Sequence, residues 1–304
     1  MSSLLGKGLL AVTDRPIVRK LFGESGPGRK LANRFVAGEG LDDAVDVARR
    51  LNDAGMTVSL DHLGEHVHHA DLARAARTDY VDCLDRIGAE GLDANISVKL
   101  TQLGLGFDDD LAAESLDALA VRAAAAGTTV TVDMEESRHT EATIDLYTAA
   151  QEKHGNLGIA VQSYLWRTAT DLERLIPHGG HIRLCKGAYK ESPDIAYQSK
   201  HDVDTSFSRL QRVLMQAEEV KPAIATHDPR LIAEARSQAK DRSRPFEFQM
   251  LYGIGTKLQR QLVADGFSLR IYVPYGAAWY PYLTRRLAER PANMLFFLRA
   301  AAGR

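Results

Sequence analysis

Two cysteines, Cys83 and Cys185, are all the thiols in 304 residues. They are too few for a disulfide framework and too far apart for a zinc ribbon, which fits a reducing, cytoplasmic setting. No apolar run approaches the length needed to span a bilayer. Charge of one sign is lacking too. A formal net charge of −2, with both signs mixed along the chain, predicts no long-range attraction to nucleic acid and no strongly polybasic membrane face. The partner expected is therefore small. Signature motifs are missing as well: no G-x-S-x-G elbow for acyl transfer and no HExxH zinc helix. GESGPGRK lacks a phosphate-loop ending and reads as a turn-rich linker, while YGIGTK, at 252 to 257, lacks the third glycine of a dinucleotide fingerprint. The start, MSSLLGKGLLAV, is interrupted by Lys7 and has no small-residue cleavage pattern, so it reads as a helix and not as a signal peptide.

What is present is a repeated unit. At 45% hydrophobic and 26% charged, the chain can bury a substantial core. Short β-branched runs that end in polar residues occur at 57–61, 96–100, 129–134, 159–165, 181–189, 222–228, 246–251 and 269–276. Between them lie amphipathic stretches long enough to cross over to a parallel neighbour. Eight such units predict an α/β fold, a TIM-type (β/α)8 barrel. LDDAVDVARRLNDAG, before the first strand, predicts an extra helix over the barrel's bottom or wall. Residues 1–56 are expected to form an N-terminal helical arm on a catalytic barrel spanning 57–304.

Period-two alternation then divides the strands. Ile96, Val98, Leu100, Val130 and Val132 point outward, while Ser97, Lys99, Asp133, Arg183, Glu247, Gln249, Arg270 and Tyr272 point to the barrel axis. A barrel of this type carries its reaction site at the C-terminal strand ends, where Asp61, Lys99, Asp133, Gln162, Arg183, His227 and Tyr272 fall. Any one of them could be a satisfied polar residue of a barrel layer. Seven together predict an enzyme. The loop DHLGEHVHHAD holds His62, His66, His68 and His69, but its spacing matches no zinc motif, and no resident metal is expected. A metal-assisted barrel hydrolase using that loop is the rival from another class.

Near the end, in YPYLTRRLAE, helical periodicity puts Tyr282, Arg285, Arg286 and Glu289 on one face that could hold a carboxylate. A solvated helix with one ion pair is the commoner fate of such a segment. The pieces DHLGE, SVKLTQLG, TVDMEE, VQSYL, IRLCKGAY, ATHD, FEFQMLYG, IYVPYG and WYPYLTRRLAERPAN, in this order from about residue 57 to 293, change that balance. Together they resemble the proline dehydrogenase family, and RLxKGAY with YLxRRLAE is a specific combination. Two positions depart from the family pattern: Lys190 stands where tryptophan often follows KGAY, and Asp228 ends a motif that reads THN in some relatives.

The resemblance implies a distorted barrel that binds FAD and oxidises L-proline to Δ1-pyrroline-5-carboxylate, the first step of proline catabolism. It implies that Arg285, Arg286 and Lys99 bind the substrate carboxylate, that Glu289 holds Arg285, and that Glu65 pairs with an arginine to close the site. Tyr272, Tyr282 and Leu251 would wall the pyrrolidine ring. Asp133 is the family's inward carboxylate beside Lys99, and Arg183 faces the flavin ring, so Lys99, Asp133 and Arg183 are the implied catalytic set. Gln162 and Met134 correspond to ring contacts, and Lys186, Gly187, Ala188, Tyr189, Thr226 and His227 to contacts along the phosphates, ribose and adenine. Implied partners are a quinone acceptor, transient peripheral contact with the inner face of the cell membrane, and a separate pyrroline-5-carboxylate dehydrogenase for the product. A hydroxyproline dehydrogenase is the nearest alternative; the tyrosine kept in IYVPYG favours proline.

Overall fold

The computed structural model describes the backbone of residues 32–288 and the side chains through residue 283. Eight strands, β1 (Thr57–His62), β2 (Ala94–Val98), β3 (Val130–Val132), β4 (Leu157–Gln162), β5 (His181–Cys185), β6 (Lys221–Ala225), β7 (Glu247–Leu251) and β8 (Leu269–Tyr275), pair in parallel and in sequence order. β8 closes on β1, with Ser59 opposite Tyr272. The predicted barrel is the observed one.

The strands' outward residues, among them Ile96, Val98, Val130, Val132, Ile182, Phe248 and Ile271, are fully buried under the crossover helices. Each such side chain contributes about 1.5–3 kcal/mol over an exposed one. The helix from Ala70 to Glu90 shows why the layer forms. It turns Ala73, Ala76, Tyr80, Cys83, Leu84 and Ile87 inward at helical spacing and ends on Gly91 at a left-handed φ of 61°. α1 (Leu41–Asp53) buries Ala44, Val45, Val47 and Ala48 and packs on the wall at β1 and β8. The final helix, α10 (Trp279–Ala288), follows β8, counting the helices of four residues or more from Leu41 onward. A second apolar cluster joins Phe35 and Val36 to Leu63, Trp279, Tyr282 and Leu283, and Trp279 Nε1 donates to Glu39 at 3.0 Å. The stretch just before α1 thus clamps α10 onto the barrel.

Several strands end earlier than the sequence pattern suggests: at Val98, Val132, Gln162, Cys185 and Ala225. Lys99 is already the N-cap position of a short helix, Leu100–Leu103, and Gly187 sits at φ 123°, outside any strand. The polar ends of the runs leave the ladder because they build the barrel's rim.

The barrel axis is polar. Glu247 accepts from Arg270 Nε at 2.8 Å, from Lys221 Nζ at 2.6 Å and from Gln249 Nε2 at 2.6 Å. Gln249 Oε1 in turn accepts from Arg183 Nε at 2.5 Å, carrying the network from the barrel's lower layer to its mouth. Gly158 leaves room for the His181 ring, whose carbons would lie about 2.2 Å from any added Cβ. These buried polar groups persist because they are paired with one another.

Candidate active site

Lys99 sits at the end of β2, buried, between two carboxylates. Its Nζ donates to Asp61 at 2.8 Å and lies 3.5 Å from both Asp133 Oδ2 and the Tyr272 hydroxyl. Asp133 also accepts from Ser97 Oγ at 2.7 Å, from Tyr272 OH at 2.7 Å and from Arg183 Nη1. Arg183 spends a further bond on Ser97 at 3.0 Å, and its guanidinium carbon stands 5.2 Å from the Tyr272 ring centroid. Its Nη2 is buried and has no hydrogen-bond partner among the described residues.

The charges of this cluster are set by one another. Burial pulls the Lys99 ammonium toward neutrality, but Asp61 and Asp133 outweigh it and hold the proton well above the ordinary lysine range. Burial likewise opposes ionisation of Asp133, yet Arg183 and Lys99 keep it below the usual carboxylate range. Asp61 moves the other way: burial raises it, Lys99 pulls it back, and Asp133 adds to the rise. The formal charges of two cations and two carboxylates cancel. A substrate carboxylate entering here must therefore be met by further cations.

Above the cluster opens a cavity of about 680 Å3. Lys99, Asp133, Met134, Gln162, Arg183, Lys186, Gly187, Ala188, Tyr189, Thr226, His227, Leu251, Tyr272 and Tyr282 all line it. Its size lies within the usual range for small-molecule sites. The β5 rim is shaped by Gly187, where a Cβ would meet the Tyr164 ring at 2.3 Å. The Gln162 amide is largely committed: Nε2 donates to Glu135 O at 2.8 Å and Oε1 accepts from Ala188 N at 3.3 Å. At the mouth, Lys186 bridges Asp204 at 2.5 Å and Asp228 at 3.3 Å, and Arg230 reaches Asp204 at 3.0 Å. Asp228 also caps the helix Pro229–Gln238 through Arg230 N, so the residue that departs from the family pattern has a local structural role.

A family profile described as proline dehydrogenase matches residues 44–299. The proline dehydrogenase of Deinococcus radiodurans is 34% identical over 307 residues, covering 97% of this chain and 97% of that protein. This chain belongs to the proline dehydrogenase family. Its activity is the oxidation of proline in proline catabolism. Proline dehydrogenase 2 of Bacillus subtilis is 36% identical over 271 residues, 88% of this chain and 89% of that one. Among solved structures, a mutant of proline utilization A from Bradyrhizobium japonicum superposes with a TM-score of 0.76 at 26% identity, over 90% of this chain. This chain spans about a third of that much longer protein, 32%.

Not every residue implied by the family resemblance reaches the proline dehydrogenase cavity. Glu65 is half-buried in the loop after β1 and does not line it. The backbone of Arg285 and Arg286 lies on α10, three and four positions beyond the cavity-lining Tyr282, while their side chains and the whole of Glu289 lie outside the described residues. The loop bearing Glu65 is held by its backbone: His66 N donates to Thr101 Oγ1 at 3.0 Å and Val67 N to Thr101 O at 3.2 Å. Thr101 is fixed in turn by the buried Glu135 carboxylate, at 3.0 Å from its N and 2.5 Å from its Oγ1.

Alternation puts Asp61 at the strand-end site and Ser97 and Gln249 on the axis, but it assigns none of the three a partner, and all three prove to hold the cluster together. The signal was available. Asp61 pairs in register with Ser97, two residues from Lys99 and on the same side of the sheet. Cys185, two residues beyond Arg183, lines the cavity for the same reason.

Proposed function

We propose that this cavity holds FAD with L-proline between it and α10, and that the product is Δ1-pyrroline-5-carboxylate. The observation that carries the reading is the charge-balanced Asp61–Lys99–Asp133–Arg183 cluster at the cavity floor, with Tyr282 of α10 on its wall. The protein's groups fit a flavin. Arg183 Nη2 is a buried donor without a partner among the described residues, and Gly187 leaves backbone space beside Tyr164. FAD bound here would supply the two-electron acceptor for the hydride on the ring carbon next to the proline nitrogen.

The chain's own residues do the rest. Arg183, fixed by Asp133, Ser97 and Gln249, offers a cation where negative charge accumulates. Lys99 is held protonated by Asp61 and Asp133, so it serves as a cation and not as a base, and the substrate amine enters neutral. Arg285 and Arg286 supply the cations that the balanced cluster cannot, as planar forks that match a carboxylate. Tyr272 and Leu251 wall the ring, and Met134, Gln162, Lys186, Ala188, Tyr189, Thr226 and His227 line the space for the cofactor. Glu65 pairs with an arginine to close the site, and Glu289 steadies Arg285. Electrons pass to a quinone through transient membrane contact; among the described residues no helix is long and apolar enough to cross a membrane. A separate dehydrogenase consumes the pyrroline. In this reading residues 1–56 are an arm on the 57–304 barrel, and its described end, near Glu39, clamps α10.

Replacing Arg286 by methionine tests the assignment. Loss of one partner of the buried pair costs about 3–5 kcal/mol in transition-state binding. It is expected as a raised KM for proline in protein that still carries flavin. An unchanged KM contradicts it.

A further inference from the structure

Outside the reaction cavity, the fold brings His66, from the loop after β1, up to Glu136 and His139, at either end of the 3-10 turn that follows β3. One ligand atom from each lies within 4.8 Å of the other two. His66 Nε2 and Glu136 Oε1 are 3.2 Å apart. Two ligands on a tetrahedral ion with bonds of about 2.0–2.1 Å sit about 3.3 Å from each other, so this pair already has the spacing that zinc requires. The His139 nitrogen completes the triangle within 4.8 Å of both.

A plain His66–Glu136 ion pair accounts for that one contact and for nothing else. It leaves Glu136 Oε2 buried with no hydrogen-bond partner among the described residues, and it does not use His139. The three side chains are also held in place. Thr101 fixes the backbone at 66 and 67, where His66 takes a left-handed φ of 54°. Glu191 fixes the turn, accepting from Ser137 N and Ser137 Oγ at 2.7 Å each. His139 packs against Gly106, where an added Cβ would lie 2.9 Å from its ring. Each imidazole is half-buried, which leaves the open side for a solvent ligand.

We propose that His66, Glu136 and His139 bind a divalent cation of the zinc class, with water completing the coordination. The donor set, two imidazoles and one carboxylate, suits zinc over magnesium or calcium. None of the three lines the reaction cavity, so the ion takes no part in proline oxidation. Its effect is mechanical. It ties the loop that carries Glu65 to the turn after β3, holding the loop over the rim.

The test uses untagged, chelator-treated full-length protein and Zn2+ alone, followed by calorimetry and by metal analysis after dialysis. One ion per chain is expected. Affinity should fall by at least about tenfold in His66→Ala and in His139→Ala, a loss found even when only a ligand's outer partner is removed. His68→Ala/His69→Ala should bind as the parent does. Amide exchange across 63–69 should slow when Zn2+ is added. Glu136→Gln, which keeps the shape and removes the charge, provides a ligand variant should either alanine variant fold poorly. The proposal is overturned if the parent binds no zinc at micromolar concentration. It is equally overturned if the His66, His139 and Glu136 variants bind as the parent does.

Discussion

His181 shows how strongly the barrel axis acts on one residue. Its Nε2 lies 2.6 Å from Thr131 Oγ1, and burial, opposed by Glu247 and reinforced by Arg270 and Arg183, pulls its pKa down to about 3. In the unfolded chain it titrates near 6.5. Between those values the unfolded state holds a proton that the folded state refuses, so stability falls as pH drops from 6.5 toward 3. Replacing His181 by asparagine should flatten that decline. Denaturant midpoints compared at neutral pH and near pH 5 measure it, and parallel slopes for parent and variant contradict it. Glu247, held by Arg270 and Lys221 below the carboxylate range despite its burial, acts lower on the same acid limb. At this scale the sequence was a fair guide to which side chains face inward and a poor guide to how they pair. Alternation placed Lys99, Asp133 and Arg183 together, but it could not show that Lys99 leans on Asp61, which comes from a different strand.

Among the elements, the strand ends were the hardest to read. A β-branched run with polar residues at its end continues the strand pattern, and only the ladder shows where pairing stops. The segment after β5 is the clearest instance, because the reading extended this strand to Tyr189 while pairing ends at Cys185. Gly187 marks the turn. With φ at 123° and the Tyr164 ring 2.3 Å from any Cβ, alanine there must displace the rim. Gly187→Ala is therefore expected to weaken FAD retention while the far-UV spectrum stays that of the parent. Flavin content per chain after gel filtration measures this, and full occupancy would show that the rim tolerates the methyl. The final helix was legible in its periodicity. Its clamp by Phe35, Val36 and Glu39 was not, because those contacts join segments more than 200 residues apart.

On the scale of the whole molecule, the architecture followed from counting. Eight runs separated by crossover-length helices left little choice but a closed parallel barrel, and the structure has one. What the count could not supply was the polar axis that runs from Glu247 through Gln249 and Arg183 to Asp133. That network makes the barrel a support for charge at its mouth. The cavity above it, the balanced cluster and the helix bearing Arg285 and Arg286 converge on one claim, that this barrel moves two electrons from proline to a flavin. An anaerobic visible absorption spectrum of the purified protein, taken before and after adding L-proline, tests that claim most directly. The account predicts a flavin band that bleaches on addition. A protein that stays colourless and inactive when FAD is supplied, or a bound flavin unchanged by proline, would contradict it.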